Sequence, residues 1–238
     1  MKPITRHNIL PLQTPIQHFN DCYLISSITA LARSKTGQKV LSKNVSYNKN
    51  GFKVRFQKID SNPRDYFVSK DEIQKLMKFD EFYNEINFHS EQNPIIKAIE
   101  IAMNKLIEEY PKKKPFVSKL VRSQEKFEYN KPSNFLEIFT GQKPITLNEN
   151  SLRMNLQKDK DKAVELFEKI DKSDDFSFIA GTGLWGNGSV SALHCLAIEG
   201  VNTENRYLQL YDSRVQNSLK LTFDKTIEIF KFLTGYLH

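Results

Sequence analysis

The chain has 238 residues, long enough for one sizeable domain or two small lobes around a substantial buried core. Hydrophobic residues make up 39% and charged residues 26%, an ordinary globular balance, and no apolar run approaches the roughly 20 residues a membrane span requires. The net charge of +7 makes the surface mildly basic, and two cysteines, Cys22 and Cys195, are too few for a small disulfide scaffold.

The opening MKPITRHNILPLQ has one early Lys and no continuous apolar segment, so no secretory signal peptide is expected. Pro3, Pro11 and Pro15 disfavour helix, and residues 1–21 are read as extended and turn-rich. A helix is predicted to begin near Asn20 and Asp21 and run through CYLISSITALARS, with Gly37 as its stop. Leu24, Ile25, Ile28 and Leu31 make it too apolar for a surface helix, so it is expected to be largely buried. An Asn-rich turn leads into a strand at Gly51–Phe56. A short helix is expected over Asp71–Lys78. A longer one runs from Pro94 to Tyr110, with Ile95, Ile96, Ala98, Ile99, Ala102 and Leu106 as its apolar face and Pro111 closing it.

The basic cluster Lys112, Lys113, Lys114, Lys119, Arg122 and Lys126 follows. It encloses one aromatic, Phe116, and is diluted by Glu125 and Glu128, the pattern of a solvated face; no nucleic-acid partner is expected. Asn134–Phe139 reads as a short helix stopping at Gly141. Residues 142–175 are polar, with one helical stretch at Ala163–Ile170, and are read as a linker between lobes. Strands then follow at Phe176–Ala180, Leu193–Glu199 and Tyr207–Tyr211, the first two separated by the Gly-rich GTGLWGNGS. Thr222–Tyr236 ends the chain as a helix or a strand–helix pair. Helices first and strands later predict an α+β fold: a mainly helical lobe over 1–141, the linker at 142–175 and a β-rich lobe over 176–238.

Three residues carry potential chemistry. A thiol in the first turn of a buried helix feels the positive end of the helix dipole, which favours thiolate, and the unpaired N–H groups there can bind an oxyanion. Cys22 has that position, although on position alone it reads equally well as a small buried apolar residue. His194 lies in LHCLAIEG, where alternation sets His194, Leu196 and Ile198 on one face and Cys195 and Ala197 on the other. Asp212 ends the next strand, RYLQLYDSR, where it is either a turn residue or the acceptor that orients His194 from an antiparallel neighbour. Nucleophile on an early helix, base and orienting group on late strands, is the chain order of papain-like acyl transfer.

At these residues the sequence resembles the calpain-type cysteine protease core. NDCYLISSITALA resembles that family's G-D-C-W-L-L-x-A-I-A-S-L nucleophile helix, with Asn20 for Gly and Tyr23 for Trp. LHCLAIEGV resembles its G-H-A-Y-S-V-x-G strand, which sets His194 on the family's catalytic His. LQLYDSR resembles L-I-R-L-R-N-P-W-G, with Asp212 where the family has Asn. NPIIKAIEIAMNKL, NFLEIFTGQ and the tail LKLTFDKTIEIFKFLTGYL are similar, in the same order, to later family segments.

The resemblance implies a papain-like two-lobed fold, with a buried nucleophile helix in the N-terminal helical lobe and an antiparallel sheet in the C-terminal one. It implies a cysteine protease acting on a protein or peptide substrate through Cys22, His194 and Asp212, with no cofactor and no metal. The departures are specific. The family's oxyanion glutamine sits six residues before the Cys, where this chain has Ile16; Gln17 is the expected replacement, with Gln13 the alternative. The N-P-W motif is replaced by Asp212-Ser213-Arg214, and Trp185 is read either as part of the cleft wall or as a surface-loop anchor. The acidic calcium sites of animal calpains are not recognisable, so calcium dependence is not carried over. A deamidase, a transglutaminase or a deubiquitinase-like isopeptidase uses the same triad logic, and a catalytically inactive calpain-like binding module remains open.

Overall fold

The computed structural model describes residues 2–3, 22–84, 93–109, 132–148, 156–182, 194–213 and 217–238. Gln13, Ile16, Gln17, Trp185, Arg214, the lead-in from residue 4 to 21 and the basic cluster between 112 and 126 lie outside them.

Among the described residues, helices and antiparallel sheets are combined in an α+β arrangement. Helix α1 spans Cys22–Arg33 and α2 spans Lys35–Asn44. The apolar run was expected to continue to Gly37, but it breaks at Ser34. That residue takes an extended backbone and caps α2, its side chain accepting from the Gly37 N–H. Gly37 therefore lies inside α2. It is needed there because a Cβ at this position would press on the Leu31 carbonyl oxygen and Ser34 Oγ, closer than real Cβ contacts come.

A four-stranded antiparallel sheet follows in the order β1 (Lys2–Pro3), β2 (Val45–Asn48), β3 (Gly51–Ile59), β4 (Asn62–Ser69). Asp60 and Ser61, at φ 48° and 69°, form the tight turn between β3 and β4. Helices α3 (Lys70–Asn84), α4 (Pro94–Glu109) and α5 (Pro132–Thr140) complete this part, matching the helices expected at 71–78, 94–110 and 134–139. Five helices and a four-stranded sheet make up this part among the described residues, and of that sheet only the strand at Gly51–Phe56 was expected.

The second sheet has six strands in the order β5-β10-β6-β7-β8-β9. These are β5 (Ile145–Leu147), β6 (Phe176–Thr182), β7 (Cys195–Asn202), β8 (Tyr207–Asp212), β9 (Asn217–Thr222) and β10 (Phe230–Leu237), and each pairs antiparallel with its neighbours. The expected linker at 142–175 is built into this sheet and its core. It supplies edge strand β5, and helix α6 (Lys160–Asp171) buries Ala163, Phe167 and Ile170 against it. Its polar surface residues hid that apolar stripe from a reading by composition. The tail is helix α7 (Phe223–Ile229) followed by β10, the reverse of a strand–helix order.

The sheet separates two apolar clusters. Cys195, Ala197, Tyr211 and Ile179 face α1 and join a cluster with Tyr23, Leu24, Ile28 and Leu31. Leu196, Ile198, Leu208 and Leu210 face the opposite way, against α6 and α7. The alternation expected for Leu196 and Ile198 against Cys195 and Ala197 is therefore present, and Leu196 and Ile198, with which His194 was grouped, turn away from α1; His194 itself precedes the strand. No helix of the described residues is long and apolar enough to cross a membrane.

Candidate active site

His194 stands one residue ahead of β7, and Asp212 is the last residue of β8. These strands are neighbours, with Ala197 opposite Tyr211 and Ile198 opposite Leu210. Continuing that register brings Asp212 opposite Leu196, two residues along the strand from His194. The side chains meet: His194 Nε2 lies 2.8 Å from Asp212 Oδ1. His194 is 3% exposed and Asp212 8%, so the bond is shielded from water and from salt screening. An ionised carboxylate can only accept, so Nε2 carries the hydrogen in that state and the Nε2–H tautomer of a neutral ring is fixed.

Cys22 is the first residue of α1. The helix lies beside β7 and runs in the same direction, as two contacts show. Ser26 Oγ donates to the Cys195 carbonyl oxygen at 2.6 Å, and seven residues later Arg33 Nη1 pairs with Glu199 Oε1 at 2.5 Å. Seven helical residues rise about 10.5 Å and four strand residues about 13 Å, so helix and strand advance together. Going back four residues from Ser26, about 6 Å, brings the helix start to the level of His194. The first turn of α1 and His194 thus occupy the same end of the helix–sheet interface. Arg33 also lies over the Tyr211 ring, 4.8 Å from its centroid, which anchors the far end of the helix to β8.

The backbone of His194 is held by Thr182, the last residue of β6. Thr182 N–H donates to the His194 carbonyl at 2.8 Å. His194 N–H donates to Thr182 Oγ1 at 2.8 Å, and that hydroxyl donates to the His194 carbonyl at 3.2 Å.

Two of the three residues singled out from sequence, His194 and Asp212, are therefore in direct contact, and the third begins the helix that lies alongside them. Sequence reasoning missed Ser26 and Thr182. Ser26 had a signal, as a small polar residue one turn after the Cys on an apolar helix. Thr182 had none, because its role depends on the register of β6 against β7. Among the described residues, no group of three or more His, Cys, Asp or Glu side chains is arranged to hold a metal ion.

No protein-family model matches the chain, and no curated protein matches it significantly in sequence.

Proposed function

We propose that this protein is a papain-like cysteine hydrolase of the calpain type that cleaves peptide or isopeptide bonds through Cys22, His194 and Asp212. The observation that carries the reading is the buried His194–Asp212 bond at the end of β7 that lies beside the first turn of α1. The helix-rich part over residues 22–140, followed by the six-stranded antiparallel sheet, is the order of elements that a fold of that kind calls for.

In this mechanism the Cys22 thiolate, paired with protonated His194, attacks a carbonyl carbon to form the S–C bond. Charge moves to the carbonyl oxygen, where the Cys22 N–H and the Gln17 side chain hold it. Collapse breaks the C–N bond as His194 delivers its proton to the leaving amine. The neutral imidazole then takes a proton from water, whose oxygen attacks the thioester and releases the carboxylate and Cys22. Asp212 holds the ring through Nε2, which assigns the proton exchange to Nδ1. Asp in place of Asn favours the imidazolium through its charge.

Alkylation of the two cysteines by iodoacetamide between pH 5 and 8 tests the proposal in wild type, Cys22→Ala and His194→Ala. Cys22 is expected to react fast at mildly acidic pH, Cys195 slowly, and His194→Ala to slow Cys22. Equal, slow reaction of both thiols favours the catalytically inactive binding module, the reading to which Ile16 at the family's glutamine position also points. New peptide amino termini, released ammonia or joined amines among the products then separate a protease from a deamidase or a transglutaminase.

A further inference from the structure

In a regular antiparallel ladder, a closely bonded residue pair exchanges two main-chain bonds, N–H to carbonyl in each direction. The β6–β7 ladder pairs Ile179 with Ala197, Ala180 with Leu196 and Gly181 with Cys195, so Thr182 and His194 form its next pair. One of their bonds is the regular one, from Thr182 N–H to the His194 carbonyl at 2.8 Å. The other runs from His194 N–H to the Thr182 hydroxyl at 2.8 Å, and the same hydroxyl returns its hydrogen to the His194 carbonyl at 3.2 Å. A side chain has taken the place of a main-chain carbonyl. Thr182 is 5% exposed, and of the one hydrogen and two acceptor sites of its hydroxyl this arrangement employs the hydrogen and one acceptor site on one residue's backbone.

We infer that Thr182 is a positioning residue: its hydroxyl grips both backbone groups of His194 and fixes the imidazole for proton exchange. The inference rests on the reading of His194 as the base. His194 stands just ahead of β7, and Thr182 bonds to both its N–H and its carbonyl. The Asp212 bond fixes one ring nitrogen, but the ring still pivots about that bond if its own Cα shifts. Thr182 holds the Cα end and Asp212 the ring end. With both ends held, the second nitrogen is aimed without further ordering when substrate arrives.

The test compares Thr182→Val, which keeps the branched shape and strand preference but has no hydroxyl, with Thr182→Ser, which keeps the hydroxyl. The readouts are the pH profile of Cys22 alkylation, the NMR titration of the His194 ring and the thermal midpoint. Loss of hydrogen bonds of ordinary strength predicts that Cys22 in Thr182→Val reacts about 3- to 10-fold more slowly near pH 6, with a displaced His194 titration. Thr182→Ser is expected to retain the wild-type profile and titration even where its thermal midpoint falls, a separation that a purely structural role does not produce.

A Val variant with the wild-type profile and titration overturns the inference. A Ser variant that loses the profile while folded also overturns it, and this holds even if the Val variant does not fold. Wild-type Cys22 reacting no faster than Cys195 at any pH overturns the hydrolase reading itself, and this inference with it. A fast wild-type Cys22 unaffected by either substitution removes only the role of Thr182.

Discussion

Ser26 Oγ and the carbonyl oxygen of Cys195, 169 residues apart in sequence, meet at 2.6 Å with both residues buried. This bond ties the second turn of α1 to the strand position immediately after His194. It therefore sets how far along β7 the helix start can slide. Ser26→Ala should improve helix propensity slightly but leave the Cys195 carbonyl buried without that donor, an expected net loss of about 1–3 kcal/mol. Urea unfolding measures the loss. The same variant should alkylate Cys22 more slowly than wild type at pH 6. Wild-type stability in Ser26→Ala would mean that the bond contributes nothing to holding the interface.

Asp212 and His194 make a bond between a carboxylate and a ring that alternates between neutral and charged forms. Asp212→Ala removes the acceptor and leaves Nε2 buried without it; hydrogen bonds to charged groups are worth about 1.5–3 kcal/mol, so Cys22 alkylation at pH 6 should fall by about 10-fold or more. Asp212→Asn keeps an oxygen acceptor and loses only the charge, so it should fall between wild type and Ala. An Asn variant as slow as Ala would assign the effect to charge rather than orientation. An Ala variant as fast as wild type would remove Asp212 from the site.

Both partners of this pair were legible in the sequence, because a His opening an apolar strand and an Asp closing the next one are local patterns. Their contact follows from hairpin register, and the strands either side of Gly200 kept it despite a shift between Ile198 and Gly200. The helices at 70–84, 94–109 and 132–140 were legible for the same reason, since each carries its apolar face in its own sequence. What was not legible depends on residues far apart. Residues 145–147 look like loop until they pair with Ile145 opposite Gly235 and Thr146 opposite Thr234. Gly37 looks like a helix stop until Leu31 and Ser34 are folded against it. Thr182 looks like part of a Gly-rich turn until β6 extends to it and its hydroxyl meets His194.

His238 should give the fold a pH dependence separate from the site. Its Nε2 lies 3.0 Å from Ser177 Oγ and 3.4 Å from Ser34 Oγ, its N–H donates to the Asp175 carbonyl at 3.0 Å, and its ring stacks on Tyr236. Burial lowers its pKa below 6.5, and the Asp175 charge only partly opposes this. The folded state thus binds the proton less readily than the unfolded chain. Stability from His238 is complete above pH 6.5 and is lost as pH falls through that value, levelling off below the folded pKa. Asp175 adds a second, more acidic step. Burial alone would raise it, but bonds from Thr36 Oγ1, Thr36 N–H and Lys35 N–H, with His238 nearby, lower it below 3.8, so its contribution disappears only as pH falls past that range. In urea titrations from pH 7.5 to 5, His238→Gln should show a flatter dependence than wild type. Parallel curves would exclude His238 as the source.

Gly37→Ala is a case where helix propensity and packing predict opposite signs. Alanine in a helix interior is favoured over glycine by about 0.8–1 kcal/mol, so an exposed site would gain stability. At residue 37 the new methyl group meets the Leu31 carbonyl oxygen and Ser34 Oγ, and neither can withdraw cheaply. The Leu31 oxygen belongs to the last turn of α1. Ser34 Oγ is fixed by the Gly37 N–H at 2.8 Å and by Ser177 Oγ at 2.7 Å. Relief therefore requires α2 to move away from α1, which breaks the cap and disturbs the buried hydroxyl pair. Losing an N-cap costs about 1 kcal/mol and overpacking about 1–3 kcal/mol, which together exceed the propensity gain. The expected outcome is a lower thermal midpoint for Gly37→Ala. Gly37→Ala combined with Ser34→Ala should lose less than the sum of the two single variants, because the second change removes one of the atoms the methyl group strikes. A stabilised single variant would show that α1 and α2 are not held in this close approach.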